Sequence, residues 1–105
     1  MRDPRETPTD PTPYTFREWT IPVRMMAPLL RYVEHGIQPG HFLMAVLCND
    51  LIGAVGRADD ENLRNLPAYV GYLYHEMPSV CWGSPEIVRA WTARQLTPRT
   101  NTEGE

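Results

Sequence analysis

The chain contains no lysine: all ten of its basic residues are arginine, set against thirteen acidic residues and a formal net charge of −3. This absence excludes Schiff-base chemistry and other covalent catalysis by a lysine side chain. The negative net charge disfavours electrostatic capture of nucleic acid or of an anionic membrane surface. Every cationic side chain is a planar guanidinium, which suits bidentate pairing with carboxylates and stacking on aromatic rings.

Long apolar runs, a secretory leader and a phosphate-binding loop are also lacking. No apolar run approaches the ~18 residues that cross a bilayer, and the N-terminus has no apolar signal-peptide segment. Gly53 and Gly56 lack the following Lys-Ser/Thr pair of a phosphate loop. These absences predict a cytoplasmic protein without a membrane anchor, in which Cys48 and Cys81 stay reduced.

Composition divides the chain into three parts. Residues 1–13 carry four prolines and almost no apolar side chains, which predicts a flexible arm. Residues 97–105 are polar and predict a frayed tail. Residues 14–96 hold the apolar side chains and predict one compact all-α domain of four to five short helices. Tyr14, Phe16 and Trp19 alternate with polar residues and are expected to dock the arm, either as a strand-like extension or as an aromatic plug.

The first two helices are delimited by capping residues, proline and glycine. Thr20 is a suitable N-cap for the first helix, and Gly36 is a typical C-terminal stop. Pro28 is expected to kink this helix or to delay its start. The second helix is predicted to open around Pro39.

The pair Asn49-Asp50 either continues the second helix or caps a third, and the capping preference of aspartate favours a break. Gly53 and Gly56 weaken the third helix, since each costs about 1 kcal/mol relative to alanine. Their spacing predicts the close approach of a neighbouring helix.

A fourth helix is predicted after Asp59 and Asp60, with a bend at Pro67. Its buried stripe is predicted to comprise Leu63, Leu66, Val70, Leu73 and Met77. Tyr69 and Tyr72 lie off this stripe. They are therefore candidates for the surface.

The last helix has the clearest start in the chain. Ser84 is its predicted N-cap, Pro85 takes the first helical position, and Glu86 faces the positive end of the helix dipole. The side chains predicted to point inward are Ile87, Val88 and Trp91.

No residue pattern indicates a metal site, a cofactor site or a catalytic centre. The histidines and cysteines lack the tight ligand pairs of structural zinc sites; they are His35, His41, Cys48, His75 and Cys81. A thiol nucleophile at Cys81 activated by His75 stays an alternative, and it requires the two side chains to lie within hydrogen-bond reach. The competing interpretation is that Cys81 and Trp82 pack a loop against the core.

The acidic run Asp59-Asp60-Glu61 has two interpretations. It resembles a row of nucleic-acid phosphates, which an arginine-rich partner would bind. Helix capping on a solvated face is the favoured interpretation, because carboxylates stabilise a helix N-terminus.

Three strings resemble a group of small, uncharacterised proteins encoded by bacteriophages and prophages. They are HGIQPGHFLMAVLCNDLIGAVGRADDEN, LPAYVGYLYHEMPS and CWGSPEIVRAW, which lie within residues 35–91. The patterns GHFLxAVLxNDL and CWGSPExVxAW make the resemblance specific. It implies an accessory role in the cytoplasm of a bacterial host, and it implies no particular reaction.

The leading functional prediction is a non-enzymatic phage accessory protein that binds a host or phage macromolecule, such as an anti-CRISPR-like inhibitor of bacterial defence. The aromatic side chains are too many for one small core, and such residues often anchor interfaces. The partner-binding candidates are Trp19, Asp59, Asp60, Glu61, Tyr69, Tyr72 and Trp82. The alternatives are a nucleic-acid-associated module in phage replication or regulation and an enzyme using Cys81 and His75. Direct binding of nucleic acid is not expected, and a homodimer is compatible with each hypothesis.

Overall fold

The computed structural model describes residues 11–96, and the predicted all-α fold class is confirmed in a predominantly helical chain. A small antiparallel hairpin, formed by β1 (Tyr14–Phe16) and β2 (Trp19–Ile21), precedes the helices. The helices are α1 (Val23–His35), α2 (His41–Leu47), α3 (Leu51–Arg57), α4 (Asp60–Arg64), α5 (Leu66–Glu76) and α6 (Pro85–Leu96), with a short 3-10 helix at Ser79–Cys81. None of the helices in this part of the chain has the length and apolar character needed to span a bilayer.

The predicted flexible arm falls largely outside the described residues, and the predicted tail falls wholly outside them. Only residues 11–13 of the arm are described, and they have no regular secondary structure.

Of the two alternatives predicted for Tyr14, Phe16 and Trp19, the structure shows the strand-like extension, in the form of this hairpin. Tyr14 pairs with Ile21 and Phe16 with Trp19 across a tight turn, where Arg17 has a left-handed φ of 57°. The prediction that Thr20 caps the first helix is wrong, because Thr20 lies in β2 and its backbone N–H donates to the Asn65 side chain at 2.9 Å. Helix α1 begins only at Val23 and then continues through Pro28.

The close backbone approach in this fold is at Gly71 rather than at the glycines of α3. A Cβ placed on Gly71 would lie 2.6 Å from Cγ of Phe16, so the hairpin rests directly on the α5 backbone. The predicted close packing at Gly53 and Gly56 is wrong. A Cβ on Gly53 would meet only side chains of its own helix and cap, and one on Gly56 would meet nothing within 4 Å.

Most predicted helix boundaries are confirmed by their caps. Backbone N–H groups donate to the side chains of Asp50, Asp59 and Ser84 at 3.0, 2.8 and 3.2 Å, respectively. These bonds satisfy amides that have no partner within the helix. Gly36 ends α1 with a left-handed φ of 67°.

The single fourth helix that the sequence predicted is divided into α4 and α5. The division occurs at Asn65, just before Pro67, whose missing backbone N–H cannot continue the hydrogen-bond ladder of α4. The Asn65 amide group donates to the Glu61 carbonyl at 3.0 Å, and its oxygen accepts the bond from Thr20. One side chain thus ties the helix break to the hairpin.

Two buried tyrosines organise the core, and both hydroxyls are satisfied. Tyr32 donates to the carbonyl of Cys81 at 2.7 Å, and Tyr69 donates to the side chain of Asn62 at 2.6 Å. Burial raises the pKa of both tyrosines above the usual value. The indole N–H of Trp91 donates to the Tyr32 carbonyl at 2.9 Å, which joins α6 to α1.

The predicted inward faces of the last helices are partly wrong. Val88 is buried and Trp91 is half-buried, but Ile87 is exposed. On the predicted stripe of the fourth helix, Leu73 and Met77 are buried and Leu66 is half-buried, whereas Leu63 and Val70 are exposed. Val70 is exposed because no other element of the described chain covers the outer edge of this stripe.

Candidate functional site

Helix α3 is apolar on every side but is mostly exposed. Its sequence, LIGAVGR, has one charged residue, at its last position. Only Ala54 is buried, while Leu51, Ile52 and Val55 are 65%, 85% and 43% exposed. A helix that is hydrophobic all round is normally covered by other protein. The outer surface of α3 therefore has the character of a binding surface.

An apolar groove runs between α3 and α5, with a volume of about 170 Å³. Leu51 and Ala54 line its α3 side, and Val70 and Tyr74 line its α5 side. The remaining apolar lining residues are Val46, Leu66, Leu73 and Trp82. A cavity of about 150 Å³ holds a benzene molecule, so the groove has room for one large apolar side chain.

The loop that carries Trp82 is fixed by hydrogen bonds. The indole N–H of Trp82 donates to the carbonyl of Met77 at 3.3 Å. The backbone N–H of Gly83 donates to the carbonyl of Leu47 at 2.8 Å, which joins the loop to α2. Trp82 is therefore a fixed part of the groove, whereas Tyr74 projects from α5 with 75% of its surface exposed.

The groove has a polar end at the turn between α2 and α3. Asn49 there adopts a left-handed φ of 63°, a conformation that asparagine tolerates better than most residues. The backbone N–H of Asp50 then bonds to the carbonyl of Ala45 at 2.8 Å, so α3 folds back against α2. This turn places both polar side chains beside the apolar lining.

Part of this polar end has no partner in the described chain. Oδ1 of Asp50 accepts the capping bond from Gly53, and Oδ2, which makes no hydrogen bond or ion pair with residues 11–96, lies over Gly53 on the side of the Arg57 guanidinium. The side-chain amide of Asn49 likewise makes no hydrogen bond with the residues that the structure describes. Among residues 11–96, Asp50 is the only charged residue that lines the groove.

A second, more open cleft of about 550 Å³ lies on the other side of the same turn. Its polar lining includes His41, Cys48, Asp50 and Arg57. Burial raises the pKa of the Cys48 thiol, with a further contribution from Asp50, which disfavours the reactive thiolate. Across residues 11–96, no three histidine, cysteine or acidic side chains are placed to hold a metal ion.

The aromatic residues that were predicted to bind a partner differ in location and in burial. Trp82 lines the groove. Trp19 and Tyr72 are half-buried against the core, and Tyr14 packs edge-on against Tyr72 at 5.1 Å between ring centroids. Tyr69 is only 1% exposed, so its prediction as a surface residue is wrong. Tyr69 is buried although it lies off the predicted stripe, because α5 is covered on more than one side.

The acidic candidates lie at the start of α4, away from the groove lining. Asp59 caps α4, and its other carboxylate oxygen lies 3.6 Å from the Arg24 guanidinium. Glu61 also pairs with Arg24, and their hydrogen bond raises the pKa of the arginine. Asp60 is an exposed residue of the first turn. The capping interpretation of this run is confirmed at Asp59.

The proposed thiol pair is not brought together. Cys81 is fully buried in the 3-10 helix and burial raises its pKa, whereas His75 is exposed on α5 against the rings of Phe16 and Tyr74. No hydrogen bond joins Cys81 to His75 in the described part of the chain.

Sequence reasoning missed most of the groove, which is formed by Leu51, Ala54, Val70 and Tyr74 around Trp82. One available signal was the absence of a polar face in α3, since seven residues with a single charge cannot make an amphipathic surface helix. The angle between α3 and α5 depends on tertiary packing and has no short-range signature.

Comparisons of the chain with known protein families, with curated proteins and with solved structures found no match. The resemblance to phage-encoded proteins therefore stays a prediction.

Proposed function

We propose that this protein is a non-enzymatic interaction module that binds an α-helical segment of a partner protein in the groove between α3 and α5. The observation that carries the proposal is the exposure of α3, an apolar helix, beside an apolar groove. Exposed apolar surfaces with a polar edge are typical of protein-binding sites.

The dimensions and lining of the groove favour a helical partner. Two helices form its sides, and an amphipathic helix commonly places apolar side chains at three- and four-residue spacing into such a groove. The volume of about 170 Å³ accommodates one large anchor side chain. Nucleic acid is a poorer occupant, because the one charged residue in the described lining is an aspartate, which repels phosphate.

The biological setting that we propose rests on the sequence resemblance. Proteins encoded by phages act in the cytoplasm of an infected bacterium, so we infer that the partner is a host or phage protein. The specific form of the proposal is inhibition of a bacterial defence component by occupation of its helical segment. Small size and acidic charge support this form by analogy.

The test is a quantitative affinity capture with a matched pair of variants. Leu51→Gln places a neutral polar side chain of similar size at an exposed position of α3 that lines the groove, and Ile37→Gln makes a similar change at an exposed position outside the groove. The expected result is a partner retained by the wild type and by Ile37→Gln but lost by Leu51→Gln. Hydrogen exchange in the complex should then protect amides of α3 and α5.

Two outcomes would overturn the proposal. A partner that binds Leu51→Gln as tightly as the wild type would place the interface elsewhere. A concentration-dependent dimer in light scattering, abolished by Leu51→Gln, would assign the groove to a second copy of this chain.

A further inference from the structure

The groove has two walls, α3 and α5, which differ in how they are held to the rest of the fold. We propose that α3 is a hinged wall, which opens locally in the free protein and is held closed when a partner occupies the groove. The opening is a property of the free protein alone, whereas its coupling to a partner rests on the proposed function.

Side-chain burial contributes little to the stability of α3. Of its seven residues only Ala54 is buried, and an alanine methyl group removes little apolar surface from water. Helix α5 buries the larger side chains of Tyr69 and Leu73, and the Tyr69 hydroxyl donates to Asn62 at 2.6 Å. Much more buried surface therefore opposes the opening of α5 than the opening of α3.

Hydrogen bonds join α3 only to its own cap. The backbone N–H of Gly53 donates to Oδ1 of Asp50 at 3.0 Å, and that of Ala54 donates to the Asp50 carbonyl at 2.9 Å. Apart from these bonds to Asp50, residues 51–57 make no hydrogen bond or ion pair with another element of the described chain. Opening of α3 thus breaks bonds within this helix and its cap alone.

The backbone of α3 is also a weak helix former. Helices shorter than ~12–15 residues are marginal in water unless tertiary packing supports them, and α3 has seven residues. Gly53 and Gly56 lower the helix propensity further, and neither glycine is required by a close approach of another helix. A short helix of this composition with one buried side chain belongs to the low end of local stability.

Both ends of α3 have the backbone of a hinge. Asn49 precedes the helix and its cap with a left-handed φ of 63°, and Ala58 follows the helix with an extended ψ of 139°. Asp59 is extended as well, with a ψ of 177°, and it caps α4. A few such positions outside regular helix absorb the dihedral changes of a hinged element.

Opening of α3 alters the groove, because this helix supplies one wall. Leu51 and Ala54 line the groove from α3, whereas Leu73 and Trp82 line it from elements fixed to the core. A partner that contacts both walls binds only the closed form, so binding shifts the population towards a helical α3. The order of α3 therefore reports whether the groove is occupied.

Amide hydrogen exchange of the free, full-length protein, followed by NMR, tests the opening. We expect the amides of residues 54–57 to exchange on the order of 100-fold faster than the slowest amides of α5. Their rates should depend little on low concentrations of urea, since a local opening exposes little surface.

A pair of glycine variants tests whether the helix propensity of α3 sets these rates. Gly56→Ala adds a methyl group in open space and should slow the exchange of residues 54–57 by up to about fivefold. Gly40→Ala, at an extended position outside α3 that is equally open, is the matched control and should leave these rates unchanged. Equal rates in the wild type and Gly56→Ala would overturn the local opening.

A core variant separates local opening from global unfolding. Val88→Ala removes buried apolar volume in α6, so it should accelerate the slowest amides of α5 and leave residues 54–57 of α3 unchanged. The proposal is overturned if α3 accelerates together with α5, or if the two helices exchange equally slowly in the wild type. The dependence of the wild-type rates on urea makes the same distinction if Val88→Ala does not fold.

The captured partner then tests the closure of the wall. We expect saturating partner to slow the exchange of residues 54–57 by roughly tenfold or more, and Gly56→Ala to bind at least as tightly as the wild type. Unchanged exchange in α3, with a partner that still depends on Leu51, would overturn the hinged wall while the proposed function stands. A partner indifferent to Leu51→Gln would overturn the proposed function, and the exchange of the free protein would still decide the local opening.

Discussion

The two sides of α5 are both apolar, yet the chain covers one side and leaves the other open. On the first side, Phe16 lies against Gly71 and Tyr14 packs on Tyr72, so the hairpin covers the helix. On the second side, Val70 and Tyr74 are exposed beside α3, whose own outer residues are also exposed. The difference teaches that α5 exposes its apolar residues on the side next to α3, whereas the hairpin covers the other side.

The largest expected contrast concerns two tyrosines of α5. Tyr69→Ala removes a fully buried ring and leaves Asn62 without its hydroxyl partner, and we expect a loss of roughly 3–5 kcal/mol in the free energy of unfolding. Tyr74→Ala removes an exposed ring that lines the groove and should change the free energy of unfolding by about 0.5 kcal/mol or less. Urea unfolding followed by circular dichroism measures both. Equal losses would show that the open side is covered in the free protein.

A smaller effect tests the contact between the hairpin and α5. Gly71→Ala places a Cβ 2.6 Å from the Phe16 ring, so the hairpin must shift, and we expect a loss of about 1–3 kcal/mol. Gly56→Ala adds a Cβ in open space within a helix and should stabilise the protein by up to about 1 kcal/mol. Thermal unfolding of both variants measures these changes. A Gly71→Ala variant as stable as the wild type would mean that the hairpin is not fixed against α5.

The cap of α3 gives the next effect in size. Asp50→Ala removes the bond to the Gly53 backbone and should cost about 1 kcal/mol of stability, whereas Asp50→Asn should cost only a few tenths. The comparison is made by urea unfolding at neutral pH. Similar losses for the two variants would indicate that the charge, and not the cap, stabilises this turn.

The smallest expected change in stability is at Leu51. Because its side chain is 65% exposed, Leu51→Gln should alter the free energy of unfolding by about 0.5 kcal/mol or less. Ile37→Gln provides a comparable change outside the groove. A large loss at Leu51 alone, measured by the same unfolding method, would mean that its side chain is packed in solution.

The parts of the fold that depend on local signals could be predicted from the sequence. Asp50, Asp59 and Ser84 each cap the helix that the sequence assigned to them, because capping is decided within three residues. Gly36 ends α1 for the same local reason. These positions fixed the helical order of residues 41–96 before any contact between elements was known.

The parts that depend on contacts between elements could not be predicted. The interpretation of Gly53 and Gly56 was wrong and Gly71 was overlooked, since only the position of the hairpin shows which glycine must lack a Cβ. The stripe containing Leu73 and Val70 was recognised, but its outer edge is exposed because α3 leaves a groove there. A sequence pattern shows that a helix face is apolar, but it does not show whether another element of the same chain buries that face.

The most direct test of the central claim is calorimetric titration of the captured helical partner into the wild type, Leu51→Gln and Ile37→Gln. We expect a binding constant at least tenfold weaker for Leu51→Gln, unchanged binding for Ile37→Gln, and equal unfolding stability for all three. Equal binding by Leu51→Gln and the wild type would contradict the assignment of the groove between α3 and α5 as the interaction site.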